Sequence, residues 1–331
     1  MNRKFNISKN DAVLAVSELS FDLSVYDIFG LLFAGGKVVF PKQGLSKDMW
    51  HLSGLILKYG VTIWNTVPQL ADLISDEFEK TLNHSVRLFL LSGDKIDLGL
   101  PSKLKKNFPQ AKIYSLGGAT EGSIWSIWYE IAEVLPGWNS IPYGKAMPNQ
   151  KMYVLTEYSE HCAVGVKGEI HIGGIGVAIG YWKDDQLTEN SFIDHPQLGR
   201  LYKTGDLGRW NKSGYIEFCG RKDTQLKLNG YRVELGEIEA KINALKGIEK
   251  AIVTIQSNEN NNVLVAYVVP EIKFDNTYPE NVESFKIEQH GIFHELKNTE
   301  ALSMNLCEDL YRLRKSYRNF IPSIRIRARI I

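Results

Sequence analysis

The chain has 331 residues, of which 44% are hydrophobic and 23% charged, a composition typical of a globular protein large enough for two domains. Its 39 basic and 38 acidic residues give a formal net charge of +1, which leaves no basic excess for a nucleic acid or a membrane surface. Three cysteines (Cys162, Cys219 and Cys307) are too few and too scattered for a disulfide framework or a zinc site. With no signal peptide and no apolar run of spanning length, we expect a soluble cytoplasmic protein with reduced thiols.

Strand and helix patterns alternate over residues 11–115. The strand patterns cover residues 12–16, 37–40, 61–64, 86–91 and 112–114, with a helix between the last two. Apolar residues recur at helical spacing over 25–33, where Gly35-Gly36 ends the helix, and Ser46 is a candidate N-cap for a helix that runs to Gly60. This order predicts an α/β fold with a parallel sheet, whose ligands bind at the carboxyl ends of the strands.

Short strands and glycine turns dominate residues 152–220, which predicts a smaller β-rich subdomain. The next unit reads as a hairpin, a helix and two strands, over residues 225–235, 236–245, 251–255 and 263–269. We therefore expect a large domain over residues 1–220 and a small α+β domain over residues 221–270. Residues 271–331 are interpreted as a linker and a basic tail.

Three segments hold residues that suit a nucleotide, and each has an ordinary structural alternative. The loop Ser115–Ser123 combines glycines with Thr120 and Glu121, which suit a phosphate and its Mg²⁺, but it could be a plain turn. Asp206, in the sequence YKTGDL, could accept hydrogen bonds from ribose hydroxyls or could cap a turn. The alternating charges of Gly220–Glu239 would also suit a solvated hairpin.

The order and spacing of these segments resemble the core motifs of the adenylate-forming superfamily, and within it the adenylation domains of non-ribosomal peptide synthetases. The resemblance runs from residue 11 to about residue 270, is closest over Leu201–Glu239, and includes GEIHIGGIGVAIGYWKDDQLTENSF at Gly168–Phe192. It implies ATP- and Mg²⁺-dependent activation of an amino acid, which is then loaded onto the phosphopantetheine of a partner carrier domain. An acyl- or aryl-CoA ligase shares the nucleotide motifs and remains an alternative.

The resemblance assigns nucleotide roles within these motifs. Thr120 and Glu121 match the catalytic pair that contacts the phosphates and Mg²⁺, with Glu121 as the metal ligand. Asp206 matches the aspartate that binds the ribose, and Arg221 matches a catalytic arginine that also reaches the nucleotide. Gly117-Gly118-Ala119 replaces the family's usual Tyr-Gly-Pro in the nucleotide-binding loop, so the aromatic side chain that commonly stacks on adenine is missing from its usual position.

Asp22 matches the aspartate that pairs with the α-ammonium group of the amino acid, a partner that the substrate of a CoA ligase does not need. The positions that match the family's side-chain pocket are small or apolar for the most part: Leu23, Tyr26, Asn65, Leu90, Ser92, Leu116, Ile124 and Trp125. Their order is typical of cysteine-activating domains, in which Gly-Gly-Ala-Thr-Glu is also a familiar variant. The resemblance therefore predicts L-cysteine or a similar small amino acid, and the alternative is an ordinary core at the strand ends.

The same resemblance predicts a mobile small domain. Asp223 matches its hinge, and Lys227 and Gly230 match the hairpin that faces the active site during thioester formation. The family's phosphate loop ending in Pro-Lys-Gly and its C-terminal Ser-Gly-Lys have no counterpart, so we expect both domains to be incomplete and the chain alone to be inactive. It would then be a remnant, or one half of a split synthetase that pairs with a separate N-terminal half. The tail from Phe285 resembles the start of an inserted flavin-dependent oxidase domain, with a basic linker helix as the alternative.

Overall fold

The structure, a computed structural model, describes residues 1–79, 83, 85–222, 225–228, 231–245, 248–258 and 261–270. The chain divides into two compact units whose boundary falls between Asp223 and Thr224. The interpretations of Cys307 and of the oxidase-like tail lie outside the described residues. Among the residues that are described, no helix is both long and apolar enough to cross a membrane.

A mixed seven-stranded sheet forms the centre of the first unit. Its strands are β1 (Ala12–Leu14), β2 (Lys37–Val39), β3 (Ile63–Thr66), β4 (Leu88–Leu91), β5 (Lys112–Gly117), β6 (Ile127–Glu130) and β7 (Lys145–Ala146). They lie in the order β2-β1-β3-β4-β5-β6-β7, with β1 to β5 parallel and β6 and β7 antiparallel to their neighbours. The predicted α/β fold is confirmed, and the carboxyl ends of β1 to β5 meet at one edge of the sheet.

Helices cover both faces of this sheet. They are α1 (Leu23–Val25), a π-helical stretch (Tyr26–Gly30), α2 (Leu31–Phe33), α3 (Met49–Tyr59), α4 (Pro68–Glu77) and α5 (Leu100–Asn107). Because successive strand residues point to opposite faces, Phe89 and Leu91 pack in the core formed with α3, α4 and α5. Leu88 and Leu90 pack instead in the core formed with residues 23–33.

The helix ends follow local chemistry, with one correction. The predicted helix over residues 25–33 is confirmed, and it ends at Gly35, which takes φ 73°. The prediction of Ser46 as the N-cap of α3 was wrong, because Ser46 lies in the preceding turn. Asp48 is the N-cap, and its Oδ1 accepts a hydrogen bond from the backbone N–H of His51 at 2.8 Å.

A second, antiparallel sheet confirms the predicted β-rich subdomain. Its strands are β8 (Gln150–Leu155), β9 (Gly168–Gly174), β10 (Phe192–His195), β11 (Gly199–Trp210) and β12 (Ile216–Arg221), and α6 (Asp185–Ser191) precedes β10. They lie in the order β10-β11-β9-β8, with β12 paired to β11. The alternative of a turn at YKTGDL was wrong, since the segment lies inside β11. Its pairing shifts register between Asp206 and Gly208, next to Gly205 at φ 70°.

The second unit contains the predicted hairpin, helix and strand pair. These are β13 (Gln225–Leu228), β14 (Tyr231–Glu234), α7 (Leu235–Asn243), β15 (Ile248–Asn258) and β16 (Asn261–Pro270). Ile238 and Ile242 of α7 share a core with Val253 and Leu264 of the strand pair. The carboxylate of Glu239 also accepts a hydrogen bond from the backbone N–H of Val253 at 2.7 Å, which ties the helix to the strand.

Candidate functional site

The register of the parallel strands brings the predicted pocket residues to one face of the sheet. Asn65 pairs with Leu90, which pairs with Tyr114, so Ser92 and Leu116 follow two residues further along on the same face. The predicted set is buried with the exception of the half-buried Ile124, and comprises Leu23, Tyr26, Asn65, Leu90, Ser92, Leu116 and Trp125. The strand register and the helical segment 23–33 therefore place these residues around one position at the carboxyl edge.

Two aromatic side chains close this face. The ring of Tyr26 meets the ring of Trp125 edge-on, with centroids 5.0 Å apart. The indole Nε1 of Trp125 donates a hydrogen bond to Ser92 Oγ at 3.1 Å, and the phenol of Tyr26 donates to Asn2 Oδ1 at 3.1 Å. These bonds fix the positions of both rings.

A buried carboxylate that belongs to no predicted motif, Asp27, lies against Asn65. Asn65 Nδ2 donates to Asp27 Oδ1 at 2.8 Å and to the backbone carbonyl of Leu23 at 3.4 Å. Burial raises the pKa of Asp27 to about 8, and the hydrogen bond from Asn65 opposes part of that rise. Within the described part of the chain, Asn65 Oδ1 and Asp27 Oδ2 are buried and have no hydrogen-bond partner.

Asp22 and Thr120 come together although 98 residues separate them in the sequence. Thr120 Oγ1 donates a hydrogen bond to Asp22 Oδ2 at 2.7 Å. Asp22 stands at the start of α1, and Thr120 begins a short 3-10 turn, Thr120–Gly122, directly after β5. The residue predicted to bind an ammonium group thus touches the residue predicted to contact phosphate.

The loop after β5 is tightly packed and strained. A Cβ built on Gly117 would overlap the ring of Tyr143, and one on Gly118, at φ 154°, would lie 2.7 Å from Ser126 N and 2.8 Å from Ile124 O. Ile124 itself takes φ 68°, a conformation that a β-branched residue rarely adopts. Such strain costs about 1–3 kcal/mol and persists where the surrounding structure requires it.

Glu121 is the predicted metal ligand, and its carboxylate is held in place. Glu121 is 8% exposed, and the phenol of Tyr181 donates to Glu121 Oε1 at 2.5 Å. Burial raises the pKa of Tyr181, and the hydrogen bond to Glu121 raises it further, so the phenol remains a donor. Among the described residues, no three His, Cys, Asp or Glu side chains form a metal-binding group. A single carboxylate suits Mg²⁺ that takes its other ligands from phosphates and water.

Asp206 and Arg221 form an ion pair between β11 and β12. Their side chains are 8% and 13% exposed, so the pair sits in a largely water-excluded position. Burial raises the pKa of Tyr143, the Asp206 carboxylate raises it further, and Arg221 and a backbone hydrogen bond at Gly118 oppose the rise. The predicted ribose-binding residue therefore lies near the glycine loop, with Tyr143 beside both.

The predicted mobile-domain residues fall in the second unit or at the boundary. Lys227 lies in β13, whereas Asp223 and Gly230 lie outside the described residues. Their roles as hinge and thioester-step residues stay predictions.

Comparison with known proteins identifies the family. Residues 1–182 match the family model described as AMP-binding enzyme. The chain belongs to this family. It is similar to bacitracin synthase 1 of Bacillus licheniformis, with 49% identity over 273 residues, 82% of this chain and 5% of that protein. It is 41% identical over 271 residues to pyochelin synthetase PchF of Pseudomonas aeruginosa, covering 81% of this chain and 15% of that protein.

A solved structure supports the same assignment. Holo-PA1221, a non-ribosomal peptide synthetase protein with adenylation and PCP domains bound to a vinylsulfonamide inhibitor, superposes with a TM-score of 0.74 and 27% identity. The match covers 80% of this chain and 46% of that one. The predicted membership of the synthetase adenylation domains is confirmed. The chain spans 5% and 15% of the length of the two synthetases that it resembles.

Three residues of this adenylation domain were missed at the level of sequence: Asp27, Tyr143 and Tyr181. Asp27 left a local signal, because it continues the buried spacing of Leu23 and Leu31 in the helical segment, where a carboxylate is unusual. Tyr143 and Tyr181 left none, since each meets its partner through contacts distant in sequence.

Proposed function

We propose that this adenylation domain activates a small amino acid, L-cysteine in preference to others, with ATP and Mg²⁺, and passes it to the phosphopantetheine thiol of a carrier domain. The observation that carries the proposal is the 2.7 Å hydrogen bond from Thr120 Oγ1 to Asp22 Oδ2. It places a carboxylate suited to an ammonium group beside a loop suited to phosphate. An enzyme that joins an amino acid to a nucleotide must hold both reactants at such a junction.

The proposed reaction has two steps. First, a carboxylate oxygen of the amino acid attacks the α-phosphorus of ATP, and the bond to pyrophosphate breaks. Asp22 holds the ammonium group and Thr120 donates to a phosphate oxygen. Glu121 would hold the Mg²⁺, which would stabilise negative charge on the phosphates. Asp206 accepts hydrogen bonds from the ribose, and Arg221, which forms an ion pair with Asp206, also reaches the nucleotide. In the second step, the carrier thiolate attacks the acyl carbon and AMP leaves.

The pocket supports cysteine as the preferred substrate. Leu23, Leu90 and Leu116 are buried apolar residues around the proposed side-chain position, and the paired rings of Tyr26 and Trp125 limit its size. Such walls disfavour charged and bulky side chains. Isosteres are excluded less strictly, so we expect serine and 2-aminobutyrate to react about a hundredfold more slowly.

The carrier partner is supported by similarity to a structure that contains adenylation and PCP domains. We assign Asp223 as the hinge of the second unit, and Lys227 and Gly230 to the hairpin that serves the thioester step. Loading of labelled cysteine onto a holo-carrier domain, by the chain supplemented with a separately expressed N-terminal half, tests this assignment. Lys227→Glu should slow loading and leave adenylate binding unchanged, and equal loading by both proteins would contradict it.

The competing candidate, a ligase for carboxylic acids without an amino group, makes a different prediction about Asp22. We would titrate the full 331-residue chain with cysteinyl sulfamoyl adenosine and with its 3-mercaptopropionyl counterpart, which lacks the α-ammonium group. The amino-acid enzyme should bind the ammonium-bearing analogue about ten- to a hundredfold more tightly, because Asp22 is half-buried and a hydrogen bond between charged groups is worth about 1.5–3 kcal/mol. Equal affinities, or a preference for the deaminated analogue, would favour the ligase.

Matched variants locate the effect. Asp22→Asn should abolish the preference for the ammonium group, because it removes the charge at constant size. Asp72→Asn is the control, since Asp72 of α4 is a half-exposed carboxylate paired with Lys103 of α5. It should leave both affinities unchanged.

A further inference from the structure

The side-chain amide of Asn65 has one possible orientation. Its Nδ2 lies 2.8 Å from Asp27 Oδ1 and 3.4 Å from the backbone carbonyl of Leu23. The backbone carbonyl of Leu23 can only accept, so the NH₂ group must face it, and a flipped amide would set Asn65 Oδ1 against that carbonyl oxygen. Asn65 Oδ1 consequently points away from both.

That oxygen is a candidate acceptor for a donor on a ligand. Asn65 is fully buried, and among the residues that the structure describes nothing donates a hydrogen bond to Oδ1. By the strand register, Asn65 shares its face with Leu90 and Ser92, at the carboxyl edge where the pocket lies. A buried acceptor without a donor is costly, and a donor on the bound substrate removes that cost.

We propose that Asp27 is a specificity-determining positioning residue: it holds the Asn65 amide so that Oδ1 accepts a hydrogen bond from the polar hydrogen of the substrate side chain. This proposal rests on the proposed amino-acid activation and deepens it. Asp27 touches no substrate and acts through Asn65.

The chemistry fits a thiol. The S–H group of cysteine is a weak donor, and its sulfur tolerates the apolar surroundings of Leu90 and Leu116. 2-Aminobutyrate has a methyl group in place of the thiol and offers no polar hydrogen. The two side chains have nearly the same size, so discrimination between them reports the hydrogen bond and not the volume of the pocket.

The test compares the cysteinyl and 2-aminobutyryl sulfamoyl adenosines on the full chain by titration calorimetry. We expect the native protein to bind the cysteinyl analogue about tenfold more tightly. Asp27→Leu removes the acceptor and frees the amide, so the ratio should fall below about twofold, through loss of affinity for the thiol analogue alone. Asp27→Asn keeps an oxygen towards Asn65 and should restore most of the ratio.

A matched control lies on the opposite face of the same sheet. There Asn107 Nδ2 donates to Ser75 O at 2.8 Å and to Ser75 Oγ at 2.9 Å, also in a buried position. Ser75→Ala removes one such bond without touching the pocket and should leave the ratio at its native value. A second readout needs no ligand: the side-chain NH₂ resonances of ¹⁵N-labelled Asn65 should exchange slowly in the native protein and in Asp27→Asn, and faster in Asp27→Leu.

The outcomes separate the two proposals. If the native chain discriminates and Asp27→Leu discriminates equally well, the positioning role of Asp27 is wrong while the proposed function stands. If the native chain binds neither analogue, the proposed function fails, and this inference fails with it.

Discussion

Two buried aspartates at opposite ends of the parallel sheet have opposite hydrogen-bonding environments. At the amino end, Asp11 accepts hydrogen bonds from Thr62 Oγ1 at 2.8 Å, Arg87 Nε at 2.8 Å and the backbone of Ser8 at 2.8 Å. At the carboxyl end, Asp27 has one hydrogen bond, from Asn65, and both residues keep a buried oxygen without a partner within the described part of the chain.

The difference distinguishes a carboxylate that is satisfied within the fold from one that is not. A carboxylate with three donors, one of them a guanidinium, is satisfied in the absence of ligand, and its pKa reflects this. Burial raises the pKa of Asp11, but the hydrogen bonds from Arg87, Thr62 and Ser8 outweigh burial and lower it below the ordinary value. Asp27 has no such set, and its pKa rises to about 8. Asp27 lies near the end of the sheet where ligands of parallel sheets bind.

The largest expected effect concerns the pH dependence of stability through Asp27. Its carboxyl is neutral in the folded protein up to about pH 8, whereas in the unfolded chain it ionises near pH 4. The contribution of Asp27 to the free energy of unfolding is thus fully present below pH 4 and is lost as the pH rises towards 8. Between pH 5 and 8 the free energy of unfolding should fall by up to about 4 kcal/mol. The asparagine side chain of Asp27→Asn does not titrate. The free energy of unfolding of this variant should therefore rise relative to that of the native protein between pH 5 and 8. Urea denaturation at several pH values measures the difference.

Asp11→Asn provides the opposite control. Because the pKa of Asp11 is lowered in the folded protein, its carboxylate stabilises the fold above about pH 4. This stabilisation is lost as the pH falls through the pKa of Asp11 in the folded protein. This variant should be less stable than the native protein at pH 7, and the difference should shrink in acid. Parallel pH profiles for the native protein and Asp27→Asn would show that Asp27 is ionised and paired, as Asp11 is, and would contradict the contrast between the two aspartates.

The second prediction concerns the ion pair of Asp11 and Arg87 at the amino end of the sheet. Arg87→Met removes the cationic partner of Asp11 and should lower the free energy of unfolding by about 3 kcal/mol, the low end for a buried pair because the Arg87 side chain is 36% exposed. Affinity for AMP should not change, since the pair lies at the far end of the strands. Lys112→Met is the control: the pair of Lys112 with Glu130 is 66% and 41% exposed, so the loss should stay below about 0.5 kcal/mol. Similar losses in both variants would contradict the assignment.

Sequence patterns predicted most of the sheet, and the residues predicted for the pocket stay a prediction. Local periodicity predicts the strands and the helix over residues 25–33. Several of the predicted pocket residues lie at strand ends, where the register brings them to one face of the sheet. What escaped prediction depends on distant contacts or on competition between local options. Asp48 displaced Ser46 as the cap of α3, and YKTGDL became part of a bulged strand because β9 and β12 pair with it on both sides.

The third prediction concerns the glycine loop that follows β5 at the carboxyl end of the sheet. Gly118→Ala places a Cβ within 3 Å of the backbone at Ser126 and Ile124, at a φ of 154° that L-residues disfavour. Because backbone cannot move away cheaply, we expect a loss of about 2 kcal/mol in stability and a clear loss of affinity for AMP. Gly44→Ala is the matched control, also at positive φ, 81°, but with no atom within 4 Å of the added Cβ. It should cost about 1 kcal/mol and leave AMP affinity intact. An equal effect of both variants on AMP affinity would show that the loop does not bind nucleotide.

The smallest expected effect concerns the aromatic side chain that the loop lacks at position 117. A Cβ on Gly117 would overlap the ring of Tyr143, so that ring occupies the space beside β5 that a side chain at 117 would need. Tyr143 also meets the ring of Phe218 edge-on, with centroids 5.9 Å apart, and Phe218 is 44% exposed on β12 near Arg221. The two rings form an aromatic surface next to the proposed ribose site.

If that surface holds the adenine, Tyr143→Ala should lower the affinity for AMP about fivefold, because stacking on one aromatic ring is worth about 1 kcal/mol. Affinity for ribose 5-phosphate, which has no base, should not change. Tyr143→Phe keeps the ring and should stay within about twofold of the native protein for both ligands. Equal weakening of AMP and ribose 5-phosphate in Tyr143→Ala would mean that the ring supports the phosphate loop by packing on Gly117. The comparison of these two ligands therefore distinguishes a base-binding side chain from one that only supports the loop.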